Sequence, residues 1–252
     1  MEKTVANGTQ NIALILAGGL GQRMGTSIEI PKQFYKLSEK PLLIHTLDVF
    51  ENHPAIDAIC VVCLESWEPY LRGCLEHFGI QRVRWIAPAG SVRQDSVRNG
   101  LEVLRKDCSR NDIIIVHDGV RPFVSIDVIS ANIRAVEEHG SAMTSIRSTD
   151  SLLIGDGNSN DSSRVLARDS IFLVQTPQSY RYGRGFDAYR EAYKRGIAAS
   201  INCCELFVAL GQTVHMVPGL KTNIKLTTAE DIDFLHALHE LYGRERIHHD
   251  ES

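Results

Sequence analysis

The 252-residue sequence predicts an α/β fold, a doubly wound and mostly parallel sheet with helices on both faces. Two observations carry this. Short runs that are apolar throughout, such as Ile12–Leu16 and Asp112–His117, alternate with longer segments of helical spacing. The alternation begins near the N-terminus and holds through His139. Strands without a polar face belong in a sheet covered on both sides, and such sheets bind ligands at the carboxyl ends of their strands.

In order, Ile12–Leu16 is a strand, Leu42–Glu51 a helix, Ala58–Leu64 a strand and Glu68–Phe78 a helix. Arg82–Ala87 is a short strand, and Ser91–Lys106 begins polar and continues as an amphipathic helix with Val97, Leu101 and Leu104 on one face. Asp112–His117 is a strand and Ser125–His139 a helix. The pattern then changes. Strand-like runs at Ser141–Ile146 and Asp150–Ile154 lead into IGDGNSNDSS and RVLARD, which read as a β-hairpin around a polar turn. Within a single domain spanning 1–252, residues 147–172 or so therefore form a projecting β-arm, and an arm of that kind packs on a partner. The chain returns through TPQSY to helices near Phe186–Lys194 and Cys204–Leu210, a strand at Thr213–Val217 and a helix from Thr228 to Tyr242. Thr227 and Thr228 offer that helix a hydroxyl cap, followed by an acidic first turn.

Composition excludes several classes. A net charge of −4 argues against a nucleic-acid binder. No apolar run approaches the roughly 20 residues of a membrane span, and the polar start MEKTVANGTQ lacks a signal-peptide core, so a cytoplasmic location is expected. Cys60 and Cys63 have C-x-x-C spacing, but on a strand residues three apart face opposite ways and cannot share a metal. The six cysteines read as reduced, structural thiols.

The segment LAGGLGQRMG follows the first strand, and PKQF follows soon after. It lacks the third glycine of a dinucleotide fingerprint and the G-K-[ST] of a P-loop. Two cations, Arg23 and Lys32, stand on the same post-strand segment, which suits a nucleoside triphosphate held by backbone amides and side-chain cations. Asp118 and Arg121 emerge at the end of the DIIIV strand, and an aspartate there is a natural carboxylate for Mg²⁺ bridging phosphates. Gly90–Ser96 is a second Gly/Ser loop at a strand end, and Lys225, ahead of the last helix, supplies a third cation.

LAGGLGQRMG, PKQF, the R-x-x-S-V of Arg93–Val97, HDGVRPF, TPQSY and NIKLTT occur in that order and span about Ile12 to Leu238. Together they resemble the motifs of the cytidylyltransferases acting on methylerythritol phosphate or ribitol 5-phosphate, which have a nucleotide-diphospho-sugar transferase type of fold. The resemblance implies transfer of CMP from CTP to an alditol phosphate with Mg²⁺, and a homodimer whose arm embraces the second subunit. It implies that Ala17, Gly18, Gly19 and Gly21 wrap the nucleotide and that Gly90 and Ser96 lie beside the cytosine. Arg23, Lys32 and Lys225 would neutralise the phosphates around the reacting phosphorus. Asp118 and Arg121 would sit at the junction of the two substrates, and Asp150, Ser151, Arg168 and Thr176 would bind the alditol phosphate, Arg168 in its own or the neighbour's site.

Three positions depart from the family pattern. Gly18 stands where the methylerythritol branch usually has alanine, Ser91 where an acidic residue is common, and Asn202 where an aspartate is usual. LAGG and HDGVRPF look like the ribitol branch, whereas GSVRQDSVRNGL looks like the methylerythritol branch. Two other functions stay open: nucleotidyl transfer to another sugar or polyol phosphate, and a non-catalytic nucleotide-binding protein on the same fold.

Overall fold

A computed structural model describes residues 8–19, 30–155, 164–197 and 202–249. In chain order these form β1 (Asn11–Ala17), β2 (Lys36–Leu37), β3 (Lys40–Pro41), α1 (Leu42–Glu51), β4 (Ala58–Cys63), α2 (Glu68–His77), β5 (Val83–Pro88), α3 (Arg93–Leu104) and β6 (Ile113–Asp118). There follow α4 (Ile126–His139), β7 (Ser141–Arg147), β8 (Leu152–Ile154), β9 (Arg164–Leu166), β10 (Phe172–Arg181), α5 (Tyr182–Lys194), α6 (Cys203–Ala209), β11 (Met216–Pro218) and α7 (Glu230–His249). Seven strands make one sheet in the order β11-β7-β10-β6-β1-β4-β5. All its pairings are parallel except those of β10, which runs antiparallel to both β6 and β7.

Alternation along β1 divides the interior into two cores. Ala13, Ile15 and Ala17 pack with α1, α2 and α4, while Ile12 and Leu14 pack with α3, α5 and α6. Each such fully buried aliphatic side chain contributes roughly 1.5–3 kcal/mol, so the apolar strands fix the layering. Cys63 belongs to the first core and Cys60 to the second, on opposite faces of β4 as the spacing requires. Burial pushes the Cys63 thiol up to about 11, and all six cysteines are free. A third, smaller core of Leu37, Leu42, Val120, Leu226 and Leu235 seats α7 against the loop after β6.

The expected strands and helices form with shifts at their ends, and three strands were not expected, the two-residue Lys36–Leu37 and Lys40–Pro41 among them. Phe172–Arg181 was not expected as a strand, because Pro177 interrupts it; a register shift between Val174 and Gln178 accommodates the proline. The last helix runs on to His249, beyond the expected Tyr242. At its start the Asp231 carboxylate accepts from the amides of Thr227 and Thr228, at 2.6 and 2.7 Å, while the Thr227 hydroxyl donates to the Lys225 carbonyl. The cap is therefore a carboxylate reaching back, not a threonine hydroxyl reaching forward. The strands β8 and β9 pair antiparallel in their own two-stranded sheet, the hairpin the sequence suggests; the polar turn expected at 156–163 lies outside the described residues. Among the described residues no helix is long and apolar enough to cross a membrane.

Candidate active site

The register brings distant segments to one edge of the sheet. Leu16 is level with Asp118, and Ala17, Cys63 and Pro88 end their strands side by side. Beyond these ends lie the loops that begin at Gly18, Ala89 and Gly119. Gln178 of the antiparallel strand is level with Val116, so Thr176, two residues before it, reaches the same edge.

Two glycines let the first loops meet. A Cβ at Gly18 would collide with that of Ala89, and one at Gly90 would lie 2.8 Å from both the Asp95 carbonyl carbon and the Ser96 nitrogen. The Ser96 hydroxyl accepts from the Gly90 amide at 3.0 Å and lies 3.9 Å from where a Gly18 Cβ would be. Ala17, Gly18, Gly90 and Ser96 therefore converge on one corner. Gln33 of PKQF braces it, donating to the Ala17 carbonyl at 2.6 Å from a fully buried position. Gly19 faces Lys32. Gly21 and Arg23, also expected in this loop, lie outside the described residues.

Asp118 is the electrostatic centre. Its side chain is 8% exposed; Oδ1 pairs with Arg93 at 3.1 Å, and Oδ2 with Lys225 at 3.0 Å and Arg121 at 3.2 Å. Burial alone would raise its pKa, but Arg93, Lys225 and Arg121 together hold it well below the usual carboxylate range. One anion thus gathers three cations, and the surplus positive charge favours a polyanionic ligand. Lys32 comes in from the other side, its Nζ donating to the carbonyl of Leu226, next to Lys225, at 3.2 Å. The metal role expected of Asp118 is constrained: of about four carboxylate lone-pair directions, three are engaged.

Arg93 is the member that sequence reasoning left out of the candidate residues. It lay inside the R-x-x-S-V motif, and its place at the first turn of a helix after a strand end was the available signal. Arg121 donates from NH1 to the Asn223 carbonyl at 2.7 Å, and His117 Nε2 lies 3.1 Å from the Arg121 carbonyl. Burial holds the His117 imidazole down to about 4, so it is neutral and donates there.

The expected acceptor-binding residues divide. Thr176 is 2% exposed and its hydroxyl accepts from the Asp118 amide at 3.2 Å, which places it beneath the site as a support. Asp150, Ser151 and Arg168 are exposed at the foot of the arm, and among the described residues no hydrogen bond or ion pair ties them to the Asp118 cluster. The two unusual residues have local partners. Asn202 caps α6, its side chain accepting from the Glu205 amide at 2.8 Å, and Ser91 donates to Asp95 at 2.8 Å.

Residues 11–240 match the family described as 2-C-methyl-D-erythritol 4-phosphate cytidylyltransferase. A ribitol-5-phosphate cytidylyltransferase of Lacticaseibacillus paracasei is 39% identical over 93% of this chain and 98% of its own. A 2-C-methyl-D-erythritol 4-phosphate cytidylyltransferase of Clostridium botulinum is 35% identical over 89% of this chain and 95% of its own. Among solved structures, the 2-C-methyl-D-erythritol 4-phosphate cytidylyltransferase of Francisella tularensis superposes with a TM-score of 0.76 at 29% identity, covering 90% of this chain and 98% of that one.

Proposed function

The chain belongs to the 2-C-methyl-D-erythritol 4-phosphate cytidylyltransferase family, and we propose that it transfers CMP from CTP to an alditol phosphate, releasing pyrophosphate. The observation that carries this reading is Lys225 held against Asp118 at the strand ends, with Lys32 bonded to the carbonyl of the next residue, Leu226, and facing Gly19 beside the Gly18–Gly90 corner. The corner takes the cytosine, with Ser96 and the Gly90 loop beside the base. The triphosphate lies along the Gly18–Gly19 amides towards Lys32. A phosphate oxygen of the alditol attacks the α-phosphorus in line, and pyrophosphate leaves from the opposite side. Negative charge grows on the α-phosphate and the leaving group, and Lys32, Lys225 and Arg23 stabilise it. The attacking phosphate is already anionic, so the site needs no general base.

Magnesium fits this site as a companion of CTP and poorly as a resident ion. Among the described residues no three His, Cys, Asp or Glu side chains converge, and Asp118 has one lone-pair direction left. Asp118 would lend that oxygen, and the metal would screen the triphosphate while drawing its other ligands from phosphate and water. Arg121, held against Asp118, faces the junction with the acceptor.

Ribitol 5-phosphate is the first reading of the acceptor. It is supported by the ribitol-like LAGG and HDGVRPF motifs and by the relative at 39% identity. Methylerythritol 4-phosphate is the second, supported by GSVRQDSVRNGL. The protein works as a homodimer in the cytoplasm, each arm reaching its partner so that Arg168 completes a neighbouring acceptor site. Leu153 and Val165, cross-strand neighbours on the arm, are 68% and 71% exposed, an apolar pair that association would cover. An acceptor labelled with ¹⁸O in its phosphate tests the reaction: the label should stay in the CDP-alditol, and label in pyrophosphate would refute this direction of attack.

A further inference from the structure

We infer that Asn223 is a positioning residue for this transfer, acting through Lys225; the inference rests on the function proposed for the same site. Residues 219–229, between β11 and α7, carry Lys225 but form no ladder or helix, so their placement depends on individual bonds. The Leu226 amide adds one to the Val120 carbonyl at 3.1 Å, and Asn223, 1% exposed, takes part in three of these bonds to the rest of the fold. Its Nδ2 donates to the Thr176 carbonyl at 2.7 Å and to Gln175 Oε1 at 3.4 Å, and its own carbonyl accepts from Arg121. Gln175 returns a bond to the Leu220 carbonyl at 2.9 Å, tying the same segment a second time. The Asn223 Oδ1 is buried without a partner, so the two Nδ2 bonds alone fix the amide's orientation. A reversed amide would set its oxygen against two acceptors. The side chain thus ties the segment presenting Lys225 to the support under Asp118, while the main-chain carbonyl of the same residue holds the Arg121 guanidinium.

Asn223→Asp keeps the size of the side chain and removes the donor. A displacement of about 1 Å at a reacting group costs on the order of a hundredfold in rate. The variant should therefore lose about 10- to 100-fold in kcat while KM for CTP stays within about threefold. Added to Lys225→Ala it should cost little more, because both changes remove the same placed ammonium group. A merely structural role would lower the folded fraction and multiply with the Lys225→Ala loss. Asn223→Ser, whose hydroxyl keeps one donor, replaces the first variant if the carboxylate prevents folding. Full turnover by the Asn223 variant, or losses that multiply, would overturn the inference while the wild type stays active. A wild type that releases no pyrophosphate from CTP would remove the proposed function and this inference with it.

Discussion

The Nζ of Lys225 lies 3.0 Å from Oδ2 of Asp118, joining the irregular segment before α7 to the end of a central strand. The carboxylate holds that ammonium group, together with Arg93 and Arg121, ahead of any ligand. Replacing Asp118 by Asn would leave three cations facing one another. Removing one partner of a buried pair costs roughly 3–5 kcal/mol. Arg93 and Lys225 keep 20% and 34% side-chain exposure, so the lower end, about 3 kcal/mol, is expected for Asp118→Asn in denaturant unfolding. Its turnover should fall as well, since the cations lose their common anchor.

Lys32 and Lys225 act on charge that grows during the reaction, so their removal should show in kcat. Lys32→Ala and Lys225→Ala are each expected to lower kcat about 100-fold or more, with CTP still bound in calorimetry. Near-normal turnover in both would contradict the assignment.

His117 makes stability depend on pH in a definite direction. Burial lowers its pKa from 6.5 to about 4 in the folded protein, so the unfolded chain binds a proton that the folded chain refuses. The contribution is complete above pH 6.5 and is lost as pH falls towards 4, to a total of about 3 kcal/mol. His45 and His53 are also lowered by burial and act in the same sense. The slope of unfolding free energy between pH 7 and pH 5 should therefore be shallower for His117→Gln than for wild type. Equal slopes would place the titration elsewhere. Asp118 adds a separate loss below its ordinary 3.8, because its folded pKa is depressed.

Much of this was legible in the sequence, for reasons that differ by residue. The runs Ile12–Leu16 and Asp112–His117 announce buried parallel strands by having no polar face, and the site follows because parallel sheets expose their carboxyl ends. Lys32, Asp118, Arg121 and Lys225 were readable as a set because each follows or flanks a strand end. The strand Phe172–Arg181 was not readable: Pro177 sits where a ladder amide is expected, and only the register shift where β10 pairs with β7 accommodates it. Asn223 was missed because its role depends on a distant partner, Thr176, which local pattern does not disclose, whereas Arg93 stood in a motif whose helix-start position hinted at the site but not at its pairing with Asp118. Thr176 was expected to bind the alditol phosphate; its burial against the Asp118 amide belongs to tertiary structure.

The arm makes a separate prediction about assembly. Leu153 and Val165 face solvent as a paired apolar patch, so Leu153→Asp combined with Val165→Asp should convert a dimer to monomers in sedimentation experiments. If Arg168 serves the neighbouring site, the same double variant should lose affinity for the acceptor more than for CTP. Unchanged sedimentation would leave the arm without its proposed partner.

The central claim is cytidylyl transfer, and the most direct measurement is pyrophosphate release from CTP and Mg²⁺ with ribitol 5-phosphate and 2-C-methyl-D-erythritol 4-phosphate run side by side. Release is expected, with the higher kcat/KM on ribitol 5-phosphate. A preference for methylerythritol 4-phosphate would keep the reaction and exchange the acceptor; release with neither would contradict the account.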